Sequence, residues 1–259
     1  MAAGLYRRYL TDARRAAGLN GSLHNAAMVG WLVAINALPY ALWALPMARN
    51  YISLIESIVM GAVAGIHIAF LLDTLPSVAG GDDELPEFAE FTNWQDSIIA
   101  PVIRFVFTAV FLLGPWLLWR FVTPHLALDP SLVSGVSWTL GAGGIALLPM
   151  GYIALCFGGL TAVLRLDALL LAIWRTKLAY ALVLTMLVLV LWAAVTVMMR
   201  RAPGVLTPVV TPQTALRVWR VLDVPVLAET VFVYTSVVMA MLLGVFQRHF
   251  GDRFPWSAA

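Results

Sequence analysis

The chain has 259 residues, of which 61% are hydrophobic and 12% are charged, and its formal net charge is +2. Soluble domains carry about 25% charged residues, so this composition excludes an ordinary soluble fold and predicts one integral membrane domain spanning residues 1–259. Backbone polar groups in lipid must pair internally, which favours an all-α bundle, and so small a net charge argues against a nucleic-acid partner.

The first segment, residues 1–24, has the pattern of a basic amphipathic helix. Apolar residues recur at helical spacing on one face: Tyr6, Tyr9, Leu10, Ala13, Ala16 and Ala17. Arg7, Arg8, Arg14 and Arg15 fall on the other face. The pattern predicts an interfacial helix that lies on an anionic leaflet, and the alternative is a solvated tail.

Six apolar stretches are long enough to cross a hydrocarbon core, which takes about 20 residues. They are residues 25–47, 51–72, 97–122, 131–164, 178–199 and 227–246. The first two predict a helix hairpin over residues 25–72. Four further spans lie within residues 98–246, and residues 247–259 form a C-terminal tail.

An acidic loop, residues 73–97, separates the hairpin from the later spans, and it contains no Lys or Arg. We expect it to be exposed to water and to dock a basic partner through Asp82, Asp83, Glu84, Glu87 and Trp94. In the alternative interpretation, the apolar residues Leu85, Phe88, Phe91 and Trp94 pack against the protein's own helices. The spacing of the acids does not match a calcium-binding loop.

The helical form of two further segments also follows from their glycines and prolines. The fourth span contains several glycines and Pro149, which fits either a long, tilted, kinked helix or a helix broken around a buried site. Before the last span, residues 211–225 predict a short interfacial helix that begins at Thr211 and ends at Pro225.

Ionisable residues inside the spans are candidates for function, because a charge in the bilayer is costly. Glu56 and His67 are eleven residues apart, which places them on one helix face and allows either a proton relay or two structural residues. Arg104 is expected to be an interfacial anchor or a partner of Asp96. Glu229 is expected in the first turn of the last span, where the helix dipole favours a carboxylate.

The distribution of basic residues predicts the orientation. With six spans, the N-terminal segment, the acidic loop, the fourth-to-fifth connection and the C-terminal tail share one side. That side has ten Lys and Arg residues against six on the other. The positive-inside rule therefore predicts that both termini lie in the cytoplasm.

Short motifs spread along the chain carry a resemblance to a known family. They are Gly80-Gly81-Asp82-Asp83-Glu84-Leu85-Pro86-Glu87-Phe88, Trp94-Gln95-Asp96, Leu148-Pro149-Met150, Ala172-Ile173, Tyr180, Leu243-Gly244-Val245-Phe246 and Trp256. The chain resembles an uncharacterised family of prokaryotic polytopic membrane proteins with an acidic Gly-Asp-(acid)-Leu-Pro loop after the first helix pair. The resemblance implies a multi-pass protein of the prokaryotic cytoplasmic (inner) membrane and implies no particular activity.

Two classes of function remain. The sparse intramembrane charge favours a non-enzymatic accessory or scaffolding subunit, with the lipid bilayer and other membrane subunits as partners. The alternative is a transporter for a small solute or lipid, and a water-filled cavity lined by Glu56 and His67 would distinguish it. The sequence presents no catalytic set and no metal-ligand cluster, so we expect neither an enzyme nor a bound cofactor.

Overall fold

The computed structural model describes residues 2–43, 49–88, 93–126, 128–201 and 218–256. Within these ranges the chain is helical and contains no β-strand. The α-helices in chain order are α1 (Ala2–Ala17), α2 (Leu23–Trp43), α3 (Arg49–Gly80), α4 (Ala100–Val122), α5 (Pro130–Leu164), α6 (Leu166–Arg175), α7 (Lys177–Arg201) and α8 (Val218–Phe250). A π-helical turn, Gln95–Ile99, leads into α4.

The described residues contain four helical stretches that are long and apolar enough to cross a bilayer: Ile58–Gly80, Gln95–His125, Pro130–Leu164 and Glu229–Arg253. The bent pair formed by α6 and α7 makes a possible fifth. Large apolar side chains such as Phe121 and Trp138 are exposed on the outside of α4 and α5. Lipid is the solvent that accommodates such a surface, so the prediction of an all-α membrane bundle is confirmed.

Helix α8 forms the centre of the bundle and packs against α1, α2, α3, α5 and α7. Of its membrane-spanning stretch 61% is buried, against 17% for the stretch that contains α4. A Cβ on Gly244 would lie 2.8 Å from the Leu75 carbonyl oxygen and 2.8 Å from Val78 Cβ. The absence of a side chain at Gly244 therefore lets α3 approach α8 closely.

For each pair of neighbouring helices, two contacts at different heights along the helix axes show whether the helices are parallel or antiparallel. Helices α3 and α8 are parallel, because Val78 contacts Arg248 while His67 contacts Ser236. Helix α2 is antiparallel to α3, since Asn36 reaches His67 while the start of α2 contacts the segment that follows α3.

The acidic loop begins later than the sequence predicts. Helix α3 continues through Asp73 and Pro76 to Gly80, so the predicted loop start at residue 73 is wrong. Pro76 lacks the N–H that would bond the Leu72 carbonyl, and the Cys156 thiol contacts this oxygen instead at 3.8 Å. Arg248 Nε donates to the Val78 carbonyl at 2.9 Å, and this carbonyl in the last turn of α3 thereby gains a hydrogen-bond partner.

The region before the last span also differs from its prediction. Helix α8 is continuous from Val218 through Pro225, so the predicted interfacial helix does not end at Pro225. The earlier part of that prediction, residues 211–217, lies outside the described residues. The connection between the fourth and fifth spans contains the short helix α6, which the sequence analysis missed, and α6 bends from α7 by 97°.

The glycines of α5 support the interpretation of a long helix with close neighbours. A Cβ on Gly141 would lie 3.2 Å from Trp116 Nε1, and one on Gly144 would lie 2.8 Å from Leu113 Cδ2. The α5 backbone departs from helical geometry at Gly159, near its C-terminal end, where φ is 67°. Asp129 caps the start of α5, and its hydrogen bonds from the side chain and backbone of Ser131 hold the pKa of Asp129 below its usual range.

Candidate functional site: a pocket between helices

A cavity of about 570 Å³ lies between α2, α3, α4 and α8. Its walls are mainly apolar and are formed by Pro39, Met60, Val63, Ala64, Ile68, Leu71, Phe105 and Phe232. Three polar residues, Asn36, His67 and Glu229, complete the lining. An apolar pocket with a few converging polar groups is the usual form of a small-molecule site.

His67 connects three helices beside this pocket. The His67 side chain on α3 is only 4% exposed. Its Nδ1 lies 3.3 Å from Asn36 Oδ1 on α2, and its Nε2 lies 2.8 Å from Ser236 Oγ on α8. Both ring nitrogens therefore have hydrogen-bond partners, as buried polar groups require.

The partners of His67 are held by their own helices. Asn36 Nδ2 donates to the Leu32 carbonyl at 2.8 Å. Ser236 Oγ lies 2.8 Å from the Val233 carbonyl oxygen as well as 2.8 Å from His67 Nε2, and its one proton is donated to one of these two acceptors at a time. The ring of Phe232 lies against the imidazole, with the centroids 5.2 Å apart. These contacts fix the imidazole at the junction of α2, α3 and α8.

Glu229 is a pocket residue that the sequence analysis assigned to another role. It lies inside the continuous helix α8 and lines the cavity, so its predicted place in the first turn of a helix is wrong. Glu229, Phe232 and Ser236 are spaced i, i+3 and i+7, which places them on one helix face. That spacing was the signal in the sequence that could have placed Glu229 on the same helix face as Phe232 and Ser236.

The predicted pairing of Glu56 with His67 is not tested by the described residues. Both residues belong to α3, but the side chain of Glu56 lies outside the described residues. The described partners of His67 are Asn36 and Ser236 on other helices. The proton relay through Glu56 stays a prediction.

Arg104 does not pair with Asp96. Its side chain is exposed on α4, while Asp96 accepts a hydrogen bond from Asn93 Nδ2 at 2.8 Å. Within the described residues, Arg165 forms an ion pair with Asp167 at 3.4 Å, and the Asp12 carboxyl group lies 2.9 Å from His249 Nε2. The alternative role of Arg104, as an anchor at the membrane interface, stays a prediction.

Asn25, at the start of α2, organises the acidic loop and is fully buried. Its Nδ2 donates to the Leu19 and Asp83 carbonyls at 3.0 and 2.9 Å, and its Oδ1 accepts from the Leu85 N–H at 2.7 Å. His24 Nε2 lies 3.1 Å from the Leu85 carbonyl. The loop backbone is thereby fixed against the segment that links α1 to α2.

The side chains of the acidic loop divide into two groups. Leu85 is buried and Phe88 packs on Phe70, with ring centroids 5.3 Å apart, so these apolar residues fold back on the protein as the alternative interpretation expected. Trp94 is 51% exposed, and Phe91 lies outside the described residues. The four predicted docking acids are all exposed: Asp82, Asp83, Glu84 and Glu87.

The N-terminal helix has the predicted two faces, but its apolar face contacts protein. Tyr9, Ala13 and Ala16 are buried, and Tyr9 packs edge-on against Phe246 and Phe250 of α8. Burial raises the pKa of the Tyr9 phenol. The arginines Arg7, Arg8, Arg14 and Arg15 remain exposed on the opposite face, where their contact with an anionic leaflet stays a prediction.

None of the family models, curated proteins and solved structures compared with the chain matches it. The resemblance to an uncharacterised prokaryotic membrane family therefore stays a prediction. The geometry of the pocket and of the loop is the basis for the functional argument.

Proposed function

We propose that this chain is a non-enzymatic membrane protein that binds an amphiphilic molecule in the pocket between α2, α3, α4 and α8. The observation that carries the proposal is the cavity of about 570 Å³, with His67 held beside it by three helices. The proposal is related to the lipid-handling alternative of the sequence analysis, whose distinguishing feature was a water-filled cavity lined by Glu56 and His67; the cavity found here is mainly apolar and includes His67 in its lining.

The composition of the lining supports an amphiphile over a water-soluble solute. Eight of the eleven lining residues are apolar, so a polar solute would lose its hydration without compensation. Polar residues inside spans are costly and are retained mainly where they bind or conduct something. A ligand with an apolar body and a polar group would satisfy both parts of the lining.

The test is photolabelling of the purified protein in nanodiscs with a diazirine fatty acid, followed by mass spectrometry of the labelled peptides. We expect labels on the pocket sides of α3 and α8. Ala64→Phe places a ring in the cavity and should reduce labelling at least fivefold. Gly61→Phe is the matched control, because a Cβ there meets no atom within 4 Å and Gly61 does not line the pocket.

Equal labelling of the wild type, Ala64→Phe and Gly61→Phe would contradict the proposal, since it would show that the label only reports the surrounding lipid. A loss of labelling with Gly61→Phe alone would contradict it as well.

A second candidate function is that of an accessory or scaffolding subunit, and the fixed backbone of the acidic loop favours it. The Asp83 and Leu85 main chains are held by Asn25, which presents four exposed acids on a defined surface. Such a one-signed surface favours a basic partner in another membrane subunit. Changing Asp82, Asp83, Glu84 and Glu87 to amides should then abolish a salt-sensitive association, and an association that resists both changes excludes docking through these acids.

The membrane arrangement proposed with this function has six crossings, α2 to α5, α7 and α8, and both termini in the cytoplasm of a prokaryotic cell. Contacts at one end of the bundle support it, because Asn25 meets the acidic loop, Asp12 meets His249, and Arg175 donates to the Arg253 carbonyl. Reporter fusions at Met1 and Ala259 test the orientation. A periplasmic reporter that is active at either end excludes it.

A further inference from the structure

We infer that helix α6 lies flat at the membrane surface and binds the head groups of anionic phospholipids. The inference goes beyond the pocket ligand proposed above and uses only the crossing of α7 from the proposed membrane arrangement. It follows from the direction of α6, from the apolar side chains that α6 exposes, and from the cations at its junction with α7.

The direction of α6 follows from the helix after it. Residues 178–199 of α7 include no charged residue, and their length fits a crossing, which takes about 20 residues. Helix α6 is bent from α7 by 97°, so it runs nearly parallel to a membrane that α7 crosses. Its 10 residues extend about 15 Å, half of the hydrocarbon thickness, and α6 is therefore too short to be a crossing of its own.

The level of α6 follows from the helix end that it contacts. Arg175, the last residue of α6, donates from Nη1 to the Arg253 carbonyl at 3.4 Å. Arg253 also ends the stretch Glu229–Arg253, which is apolar enough to cross the bilayer. The junction of α6 and α7 therefore lies level with the end of a membrane span, where hydrocarbon meets head groups.

Helix α6 has one buried and one exposed apolar face. The buried residues face the rest of the bundle: Ala168, Leu169 and Ala172. On the other side, every fourth residue is large, apolar and exposed: Leu166, Leu170 and Trp174. Leu170 is 57% exposed and Trp174 is 72% exposed. Such a face is stable when it is inserted just below the head groups, and tryptophan is enriched at that level.

Helix α1 uses its apolar face for contact with protein instead. Tyr9, Ala13 and Ala16 are buried, and Tyr9 packs on Phe246 of α8. Helix α1 therefore approaches an anionic leaflet mainly through the charge of its arginines. Helix α6 combines charge with exposed apolar side chains, and the strength of interfacial binding grows with both.

The charges of α6 differ between its two ends. At the start, Arg165 forms an ion pair with Asp167 at 3.4 Å. At the other end, Arg175 and Lys177 are exposed, and within the described residues neither forms an ion pair. Lys177 Nζ lies 5.1 Å from the centroid of the Trp174 ring, which attracts the ammonium group. Two cations without a carboxylate partner at the level of the head groups favour anionic lipids over zwitterionic ones.

The first measurement locates α6 with a nitroxide label in the full-length protein in nanodiscs. The label is attached to Leu170→Cys in a Cys156→Ser background, and its accessibility to oxygen and to a water-soluble nickel chelate gives its depth. Leu189→Cys, near the centre of residues 178–199, and Glu87→Cys, on the exposed acidic loop, are the two references. We expect the label at Leu170 about 5–10 Å below the head groups, between the two references.

The second measurement tests the charge. Native mass spectrometry of the full-length protein in detergent gives its affinity for phosphatidylglycerol relative to phosphatidylcholine with the same acyl chains. We expect the wild type to prefer phosphatidylglycerol, and the double variant Arg175→Gln, Lys177→Gln to lose at least fivefold of that preference. The double variant Arg120→Gln, Arg165→Gln is the matched control, because it removes the same charge elsewhere and should stay within twofold of the wild type.

Lys177→Gln alone separates the charge from the contact of Arg175 with the Arg253 carbonyl, which it leaves in place. We expect it to lower the preference at least twofold. Elution profiles like that of the wild type confirm that the variants are folded.

Three results would overturn the inference. A label at Leu170 as accessible to the nickel chelate as that at Glu87 would place α6 in water, and one as deep as that at Leu189 would make α6 and α7 one broken span. A wild type without a preference, or an equal loss in the matched control, would show that the two cations form no lipid site. Displacement of the lipid by glycerol phosphate, a head group without chains, would show a site for free anions. None of these results depends on the pocket, whose proposal is tested separately.

Discussion

Helix α2 has two buried asparagines, eleven residues apart, that do different things. The side chain of Asn25 bonds main-chain groups only, those of Leu19, Asp83 and Leu85, and Asn25 does not line the pocket. Asn36 bonds another side chain, the imidazole of His67, and both residues line a cavity. The two asparagines have the same chemistry and similar burial, so their surroundings decide their roles.

This comparison gives a criterion for polar residues in membrane helices. An amide that satisfies backbone groups in a loop stabilises the fold, and its loss leaves those groups unpaired. An amide that positions a second side chain beside empty volume contributes less to stability and is available to a ligand. Four predictions test the difference, in order of decreasing expected effect.

The largest effect is expected for Asn25→Ala. It removes three hydrogen bonds and leaves the Leu85 N–H without its partner in a buried position, at a cost of roughly 2–4 kcal/mol in the free energy of unfolding. Unfolding in detergent, followed by fluorescence, measures it. Asn20→Gly is the control, because Asn20 makes one exposed bond to the same Asp83 carbonyl and glycine adopts the φ of 54° at this position without strain. Equal effects of the two variants would contradict the role assigned to Asn25.

The second prediction compares two glycines in different surroundings, Gly244 of α8 in its contact with α3 and the exposed Gly61 of α3. Gly244→Ala places a Cβ 2.8 Å from the Leu75 carbonyl and should cost about 1–3 kcal/mol, because the helices must separate. Gly61→Ala, near the pocket, meets no atom within 4 Å and should be neutral or slightly stabilising. The same unfolding assay measures both, and a destabilised Gly61→Ala would show that the pocket end is packed more tightly than described.

A smaller effect is expected at the pocket. A double-mutant cycle of Asn36→Leu and His67→Leu should give a coupling energy of roughly 0.6 kcal/mol, the average for side-chain hydrogen bonds between membrane helices. The contact is long, with 3.3 Å between Nδ1 and Oδ1, which agrees with a modest value. A coupling as large as the effect of Asn25→Ala would remove the distinction between the two asparagines.

The smallest effect is expected for the acids of the loop. Changing Asp82, Asp83, Glu84 and Glu87 together to amides should shift the free energy of unfolding by less than about 0.5 kcal/mol in total, because effects at exposed sites are small and of either sign. The reason is that Asp83 is held through its carbonyl oxygen, which the substitution keeps. Thermal melting in detergent measures the shift. A large loss of stability would show that these carboxylates hold the loop themselves.

Most of the fold can be predicted from the sequence, because a chain in lipid has to pair its backbone polar groups internally. Long apolar runs have to become helices, so the spans and the amphipathic α1 follow from local pattern alone. The end of α3 and the start of α8 could not be predicted in this way. Pro76 and Pro225 are local helix breakers, and α3 continues past Pro76 because Cys156 and Arg248, distant in sequence, contact its carbonyl groups.

The candidate site was only half predictable for a related reason. His67 and Glu229 both stood out as ionisable residues in apolar segments. Their common pocket depends on the packing of four helices, and no local spacing connects α3 with α8. The partners of His67, Asn36 and Ser236, are ordinary polar residues in the sequence and acquire a role only through that packing.

The central position of α8 has a consequence for biosynthesis. About 175 residues separate the end of α2 from the start of α8, and at 5–20 residues per second a ribosome needs roughly 9–35 s to make them. During most of that time α2 and α3 are complete, while α8, the helix that will cover His67, has not been synthesised. Until α8 is made, the polar groups of His67 and Asn36 face lipid or are shielded by another protein. We therefore expect the cell's insertion machinery to be needed for longest at this site.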